Sequence, residues 1–148
     1  MLFRSGSGVW FDLGPHLVDQ ALVLFGRPDR VMASMAMQRP GAQAIDWAHV
    51  VLEYPQLRVV LHVGMLVAGG APRFVVHGSG GSLVKQAMDR QEAQLLSGMR
   101  PGAPGWGEDH DPPVLHTPDS VQTLQSIPGD QRQFYRQLAL ALKGMDSD

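Results

Sequence analysis

The chain contains no cysteine among its 148 residues. Without cysteine, its own residues form no disulfide, no thiolate zinc site and no cysteine nucleophile. It also has no asparagine, which we attribute to coding bias and not to function. Only two lysines, Lys85 and Lys143, accompany the arginines, and the formal net charge is -2. Because a nucleic-acid binder needs a clustered basic face, we expect no nucleic-acid partner.

Long apolar runs are also missing. No segment approaches the roughly 18 apolar residues that a membrane span requires. Residues 1–4 lack the apolar stretch of a signal peptide. The length predicts one domain with enough core to fold without disulfides or structural metals. We therefore expect a cytoplasmic globular domain that has no membrane partner.

Hydrophobic periodicity predicts a helix near each end of the chain. Residues 9–25 carry apolar side chains at helical spacing, and Gly26 is placed to end that helix. Pro15 lies within the segment, so the helix either begins near it or kinks there. Residues 130–142 form a second amphipathic pattern, with Asp130 as the expected N-cap.

Between these helices, short apolar runs predict antiparallel strands. The sequence breaks at 55–56 and 78–81 are typical of hairpin turns. A short helix is expected at 89–96, followed by a proline- and glycine-rich loop at 98–113. The predicted fold class is α+β: an open, predominantly antiparallel β-sheet with helices on one face. The predicted strands are 31–37, 48–54, 57–65, 73–77, 82–86 and 119–126.

The sharpest set of polar residues is Asp12, His16 and Asp19. Their spacings of four and three place all three on one face if the segment is helical. A carboxylate one turn from an imidazole can orient it and form a general acid/base pair. The alternative is a helix-terminal aspartate with a histidine that bonds locally, and spacing alone does not separate the two.

The other histidines give weaker signals. His49, His62 and His77 fall in predicted strands, and on a shared face they would make a metal site for lyase or isomerase chemistry. Nothing in the sequence sets the register between those strands, so structural histidines are the favoured interpretation and no metal is expected. His110 and His116 lie in or beside an acidic loop segment that we interpret as solvated. That segment contains Glu108, Asp109 and Asp111, and Trp106 before it either covers a pocket or anchors the loop.

Nucleotide-binding motifs are incomplete. Gly6-Ser7-Gly8 and Gly78-Ser79-Gly80 both lack the third glycine of G-x-G-x-x-G, and neither follows a strand and opens a helix. The segment 6–26, GSGVWFDLGPHLVDQALVLFG, instead resembles the signature of the Gfo/Idh/MocA oxidoreductase family. That signature is a glycine-rich entry, D-x-G-x-H-x-x-D and an apolar helix ending in glycine. Further matches lie at 39–43 (RPGAQ), 58–62 (RVVLH), 73–85 (RFVVHGSGGSLVK) and 89–92 (D-x-Q-E).

The resemblance is to the C-terminal domain of that family, which would occupy residues 6–144. It implies the fold of the glucose-fructose oxidoreductase and glyceraldehyde-3-phosphate dehydrogenase-like type, with roles in substrate binding and oligomerisation. In the family, an N-terminal Rossmann domain binds NAD or NADP and supplies the lysine of an E-K-P motif. The family's substrate-positioning and proton-relay residues map onto Asp12 and His16, whereas Asp19 matches a position with an implied structural role.

This chain departs from the family in lacking the Rossmann domain and the E-K-P lysine, and residues 1–5 match the pattern poorly. We expect both ends to be cut from a longer protein. The intact enzyme would oxidise or reduce a hydroxyl or keto group of a sugar-like or polyol substrate. The fragment alone is expected to be inactive and to bind no cofactor, and to form a homodimer or tetramer through its sheet. The alternative is a non-catalytic scaffold or interaction module that has lost its nucleotide-binding domain.

Overall fold

The computed structural model describes residues 7–145. Gly6, the expected first residue of the domain, and residues 1–5 lie outside the described residues. The chain divides into two compact units, Met1–Gly70 and Ala71–Asp148, and each is described by itself. Among residues 7–145, no helix combines the length and the apolar character that crossing a membrane requires.

The first unit consists of one helix and a three-stranded antiparallel sheet. The helix α1 spans Val9–Phe25 and is followed by β1 (Arg30–Ala36), β2 (Trp47–Glu53) and β3 (Arg58–Gly64). The strands are hydrogen-bonded in the order β1-β2-β3. Tyr54 and Leu57 close the β2–β3 hairpin with a backbone hydrogen bond of 3.0 Å, as the Pro55-Gln56 break predicts.

Alternation along β2 explains which face of this sheet is covered. Ala48, Val50 and Leu52 are buried, whereas the residues between them are half-buried. Burying every second side chain is what a strand does when one sheet face packs on a core. On that face, Val50 and Leu52 form a cluster with Leu61 of β3 and Ala21 of α1. Among the described residues of the first unit, no second helix packs on the opposite face of the sheet.

The elements of the second unit are, in chain order, β4 (Phe74–Gly78), β5 (Gly81–Lys85), α2 (Gln91–Leu96), β6 (Val114–His116), β7 (Val121–Thr123) and α3 (Arg132–Leu142). The four strands form an antiparallel sheet of order β4-β5-β6-β7. The predicted turn at residues 78–81 is confirmed, because Gly78 and Gly81 face each other across the β4–β5 hairpin. The predicted class, α+β with open antiparallel sheets, is confirmed, and the strands are divided between two sheets.

Three local features differ from the sequence expectations. Helix α1 continues through Pro15 and starts at Val9. Strand β6, at Val114–His116, was not predicted. The expected Asp130 N-cap is wrong, because α3 begins at Arg132 with Gln131 in the N-cap position. Asp130 Oδ1 instead accepts hydrogen bonds from the backbone N–H and the Nε of Arg132, at 3.2 Å and 2.6 Å.

Side-chain amides hold the long loop and the start of α3 to α2. Gln94 donates to the Gly105 carbonyl and accepts from the Gly107 N–H, both at 2.8 Å. Gln91, which is buried, accepts a 2.8 Å hydrogen bond from the Gln131 N–H. Trp106 is 7% exposed, so its indole is buried.

Candidate active site

Helix α1 brings Asp12, His16 and Asp19 together on one exposed face. At about 100° per residue, these three positions lie on the side of the helix opposite Leu17 and Ala21. The side chains are therefore available to a small molecule or to another domain. The predicted clustering depends on the segment being helical, and that helix is present.

The opposite side of α1 is fixed to the sheet. Ala21 is 3% exposed and belongs to the buried cluster with Val50 and Leu61. Trp10 and Leu17 pack against the same cluster from the helix side. Because α1 is packed on one side, Asp12 and His16 on its other side have well-defined positions. A catalytic arrangement requires such fixed positions.

Gly14 lets the indole of Trp10 lie directly against the helix. A Cβ at Gly14 would come within 2.7 Å of Trp10 Cδ2, closer than any real side-chain contact. Gly14 is the glycine of the D-x-G-x-H pattern, between Asp12 and His16 in sequence. The structure therefore gives this glycine a packing role that the spacing of the motif did not indicate.

The first turn of α1 is attached to the segment before β2. Val9 N–H donates a 2.9 Å hydrogen bond to the Ile45 carbonyl. Gly8 has a φ of 119°, and a Cβ there would lie 2.6 Å from the Ile45 oxygen. Only glycine allows this close approach. The Asp12 N–H then bonds to the Gly8 carbonyl at 3.2 Å, which links the acidic residue to the anchored turn.

Asp46, next to that anchor, is a buried carboxylate that the sequence analysis missed. It is 2% exposed and accepts hydrogen bonds from the backbone N–H groups of Gln38 and Arg39, at 2.7 Å and 3.0 Å. The Gln38 hydrogen bond, with those from Arg39, outweighs the cost of burial and holds the pKa of Asp46 below its ordinary value. The RPGAQ segment, which contains Arg39, is thereby tied to the start of β2. A contact between a loop and a distant carboxylate leaves no periodic hydrophobic pattern in the sequence by which it could be predicted.

The Asp12 carboxylate and the His16 imidazole make no hydrogen bond to each other within residues 7–145. Catalytic hydrogen bonds are often long or unformed before substrate binds. The missing hydrogen bond between Asp12 and His16 is therefore compatible with acid/base chemistry. The two groups supply a carboxylate acceptor and an imidazole ring one helical turn apart. Together they are suited to bind a hydroxyl group and move its proton.

The other histidines considered as metal ligands do not all lie in one sheet. His49 and His62 are direct partners across β2 and β3, whereas His77 lies on β4 in the second unit. His77 Nδ1 lies 2.7 Å from Ser82 Oγ. His110 Nδ1 lies 2.7 Å from Arg90 Nη1, and His116 is exposed on β6.

The interpretation of the acidic loop as solvated is wrong for Asp109, whose side chain is paired and largely covered. Lys85 Nζ lies 3.0 Å from Asp109 Oδ2 and 3.1 Å from Asp111 Oδ2. The Lys85 and Asp109 side chains are only 16% and 13% exposed. Burial opposes ionisation of both, but their hydrogen bonds outweigh it, so the pKa of Lys85 is raised and that of Asp109 lowered. This cluster joins the loop to the end of β5.

The glycine-rich segments that the structure describes do not fit a dinucleotide. A phosphate-binding turn leads from a strand into a helix and leaves its backbone open to the ligand. Gly8 is instead packed against Ile45, and Gly78 to Gly81 turn one antiparallel strand into the next. Neither described turn therefore has the open strand-to-helix geometry of a pyrophosphate-binding turn.

Comparison with known proteins shows which family the chain is similar to. The family model described as "Oxidoreductase family, C-terminal alpha/beta domain" (GFO_IDH_MocA_C) matches residues 4–147. The uncharacterised oxidoreductase YdgJ of Escherichia coli is 44% identical over 143 residues, which cover 94% of this chain and 41% of YdgJ. The scyllo-inositol 2-dehydrogenase (NADP(+)) IolW of Bacillus subtilis is 32% identical over 145 residues, covering 94% of this chain and 40% of IolW.

A solved structure agrees with these sequence matches. A Klebsiella pneumoniae protein assigned to the oxidoreductases superposes with a TM-score of 0.89 at 52% identity. The match covers 98% of this chain and 42% of that one. The chain thus spans about two fifths of the length of the relatives it matches. It belongs to the Gfo/Idh/MocA oxidoreductase family and corresponds to the family's C-terminal α/β domain.

Proposed function

We propose that the chain is the substrate-binding domain of an NAD(P)-dependent oxidoreductase that acts on a hydroxyl or keto group of a sugar-like or polyol molecule. The observation that carries the proposal is the exposed Asp12 and His16 pair on a helix packed against its sheet. Membership of an oxidoreductase family supports it. The polyol class is supported by the relative IolW, a scyllo-inositol 2-dehydrogenase.

The chemistry of the pair follows from its groups. His16 accepts the proton of the substrate hydroxyl at an imidazole nitrogen while the carbinol C–H bond is broken, and it returns the proton in the reverse direction. Asp12 accepts a hydrogen bond from the same hydroxyl or from the imidazolium and stabilises its positive charge. The cofactor, bound by the family's N-terminal domain, supplies the hydride acceptor. Asp19, on the same face of α1, is given a structural role in this proposal and no part in the proton transfer.

The test replaces His16 in the intact enzyme, the protein that includes the N-terminal domain. We expect His16→Ala to lower kcat by about 10²–10⁴-fold, the usual contribution of a proton-transfer group. His77→Ala is the matched control, because His77 is exposed on a strand of the second unit. Hydride transfer at the wild-type rate in His16→Ala would contradict the assignment.

The scaffold alternative predicts a different result in the same assay. If the intact wild-type protein binds NADH or NADPH but turns over no member of a panel of sugars and inositols, the substrate class is wrong. If it binds neither nucleotide and turns over nothing, the alternative is correct and the proposed function fails.

The chain by itself is predicted not to bind the cofactor. The family places cofactor binding in the N-terminal domain, and neither glycine-rich segment here fits a pyrophosphate. Isothermal titration of the 148-residue chain with NADH is expected to show no heat of binding, and the same titration of the intact enzyme is the positive control. Micromolar binding to the chain alone would contradict this prediction.

We further propose that copies associate as a homodimer or tetramer through the face of the first-unit sheet opposite α1. Met32 and Val60 on that face are 59% and 52% exposed. An antiparallel sheet with an apolar uncovered face is a natural self-association surface. The cytoplasmic location stays a prediction from the sequence.

A further inference from the structure

Asp46 joins separate parts of the first unit through its backbone and its side chain. Its N–H donates to the Ala36 carbonyl at 3.1 Å, and its own carbonyl accepts from the Met65 N–H at 2.9 Å. It therefore connects the end of β1 to the residue that follows β3. Asp46 also lies two positions before the buried Ala48, so the alternation of β2 places its side chain on the side of the sheet that α1 covers.

The Asp46 carboxylate receives three hydrogen bonds from a single short segment. The Gln38 N–H donates to Oδ1 at 2.7 Å, and the N–H and the Nε of Arg39 both donate to Oδ2 at 3.0 Å. This segment belongs to the connection between β1 and β2, which lies outside the register of the two strands. Because hydrogen bonds to a charged group are stronger than neutral ones, the carboxylate is the group that fixes the shape of this connection.

The residue before Asp46 holds the first turn of α1. Ile45 pairs with Gly8 in a parallel bridge, and its carbonyl accepts the Val9 N–H at 2.9 Å. The Gly8 carbonyl in turn accepts the Asp12 N–H. A chain of backbone contacts therefore runs from the buried carboxylate to the helical turn that carries Asp12.

A different contact holds the other end of α1. There the Tyr54 hydroxyl donates to the Gly26 carbonyl at 2.9 Å, and the Gly26 N–H donates to the Leu22 carbonyl at the same distance. Tyr54 follows β2 whereas Asp46 precedes it, so the whole length of that strand separates the two contacts. A change at Asp46 should therefore loosen the first turn of α1 and leave its last turn in place.

We propose that Asp46 is a positioning residue, whose buried carboxylate holds Ile45 against the first turn of α1 and so sets the places of Asp12 and His16. It acts through the backbone and touches no reacting atom. The Gln38 hydrogen bond contributes most to lowering the pKa of Asp46, so the carboxylate stays charged at neutral pH. The effect on α1 stands by itself, whereas the effect on catalysis rests on the proposed function.

The first experiment measures amide hydrogen exchange in the 148-residue chain, resolved to single residues by mass spectrometry with electron-transfer fragmentation. We expect Asp46→Asn to speed exchange of the Val9 N–H about tenfold, because hydrogen bonds to a buried charge are lost. The Gly26 N–H is the internal reference and should change by less than about twofold. Unchanged exchange at Val9, or an equal increase at Gly26, would overturn the proposal.

The second experiment follows a single turnover by stopped flow in the intact enzyme, the protein that includes the N-terminal domain. The substrate is the sugar or inositol of the panel that the wild type turns over fastest. Misplacement of Asp12 and His16 should lower the rate constant of hydride transfer in Asp46→Asn about 10²-fold and leave the amplitude unchanged. A smaller amplitude at the wild-type rate constant would show partial unfolding and contradict a positioning role. If the wild type turns over no panel member, the proposed function fails, whereas exchange at Val9 still decides whether Asp46 fixes the helix.

Two further variants support both experiments. Arg39→Met removes only the Nε hydrogen bond and leaves both backbone donors, so it replaces Asp46→Asn if that variant fails to fold. We expect it to speed exchange at Val9 about threefold, in the same direction. The matched control is Glu53→Gln, which neutralises an arginine-paired carboxylate at the other end of β2 and should leave Val9 and the rate constant unchanged. Where only Arg39→Met folds, unchanged exchange at Val9 in that variant contradicts the proposal.

Discussion

Gly14 carries no side chain at the point where the indole of Trp10 crosses α1. Alanine is a better helix former than glycine by about 1 kcal/mol, so a helix considered by itself would gain stability from the exchange. In this chain the added Cβ would meet Trp10 Cδ2 at 2.7 Å and Cε2 at 2.9 Å. Both contacts involve a ring that packs on the buried cluster, so the clash must be relieved by moving the helix or the indole.

We therefore predict that Gly14→Ala destabilises the chain by about 1–3 kcal/mol, the usual cost of overpacking. Urea unfolding followed by far-UV circular dichroism measures it. Gly80→Ala is the control, since a Cβ there meets nothing within 4 Å. Equal stability of Gly14→Ala and the wild type would mean that the indole has room to move.

Charged residues that are paired across loops were the least predictable from the sequence. Asp12 and His16 are recognisable because helical spacing links positions four apart. Asp46 and Lys85 depend on partners brought close by loops, such as Asp111, which is 26 residues from Lys85. The composition counts Asp46 and Lys85 as charged residues but does not show whether they are paired or solvated. Only the folded structure shows that Asp46 is buried and that Lys85 is half-buried against its carboxylate partners.

At the scale of elements, the first three strands agree with their predicted bounds to within one residue, and α1 ends at Phe25, directly before Gly26, as predicted. Strand β2 alternates strictly, and the break at Pro55-Gln56 sets the hairpin register. Strand β6 has only three residues between two prolines and Thr117, too few for a period to show. Division of the strands into two sheets depends on pairings between distant segments, on which local patterns carry no information.

The contact between the long loop and β5 is an element-scale feature with a pH signature. Hydrogen bonds from the Ala87 N–H and from Lys85 lower the pKa of Asp111. Burial would raise the pKa of Asp109, but hydrogen bonds from the Asp111 N–H and from Lys85 outweigh it, so the pKa of Asp109 is also lowered. Carboxylates with lowered pKa values stabilise the fold above their unfolded pKa of about 3.9. That contribution is lost as the pH falls through the folded pKa values. The pKa of Lys85 is raised, so this lysine stabilises the fold at neutral pH. Its contribution to stability is lost in alkaline solution, as the pH rises above 10.5 through the folded pKa.

We predict that Lys85→Met lowers the urea midpoint at pH 7, because it leaves Asp109 and Asp111 close together without their cation. The difference from the wild type should shrink as the pH falls through the lowered pKa values of Asp109 and Asp111, because both carboxylates then lose their charge. Lys143→Met, which removes an exposed lysine after α3, is the matched control and should follow the wild type at each pH. A constant difference across this pH range would show that the lysine acts through its methylenes and not through its charge.

At the scale of the whole molecule, the first-unit sheet has one face packed by α1 and another that is mixed in character. Across the three strands, that second face presents a row of Met32, Val51 and Val60, beside the row that contains His49 and His62. Arg30, Glu53 and Arg58 form the row at its edge. An apolar centre with a charged and self-paired rim is the composition expected of a protein–protein interface.

Substitution at the centre of this face tests the proposed self-association. We predict that the wild-type chain sediments as a dimer or tetramer and that Val60→Arg shifts it to monomer, because a buried guanidinium without a partner costs more than an exposed one. Val23→Arg is the control: Val23 is 78% exposed on α1, away from this face. Circular dichroism and the urea midpoint must match between the two variants, so that unfolding is not mistaken for dissociation. A wild-type monomer at 100 µM, or a Val60→Arg chain that associates as the wild type does, would exclude this face as the interface.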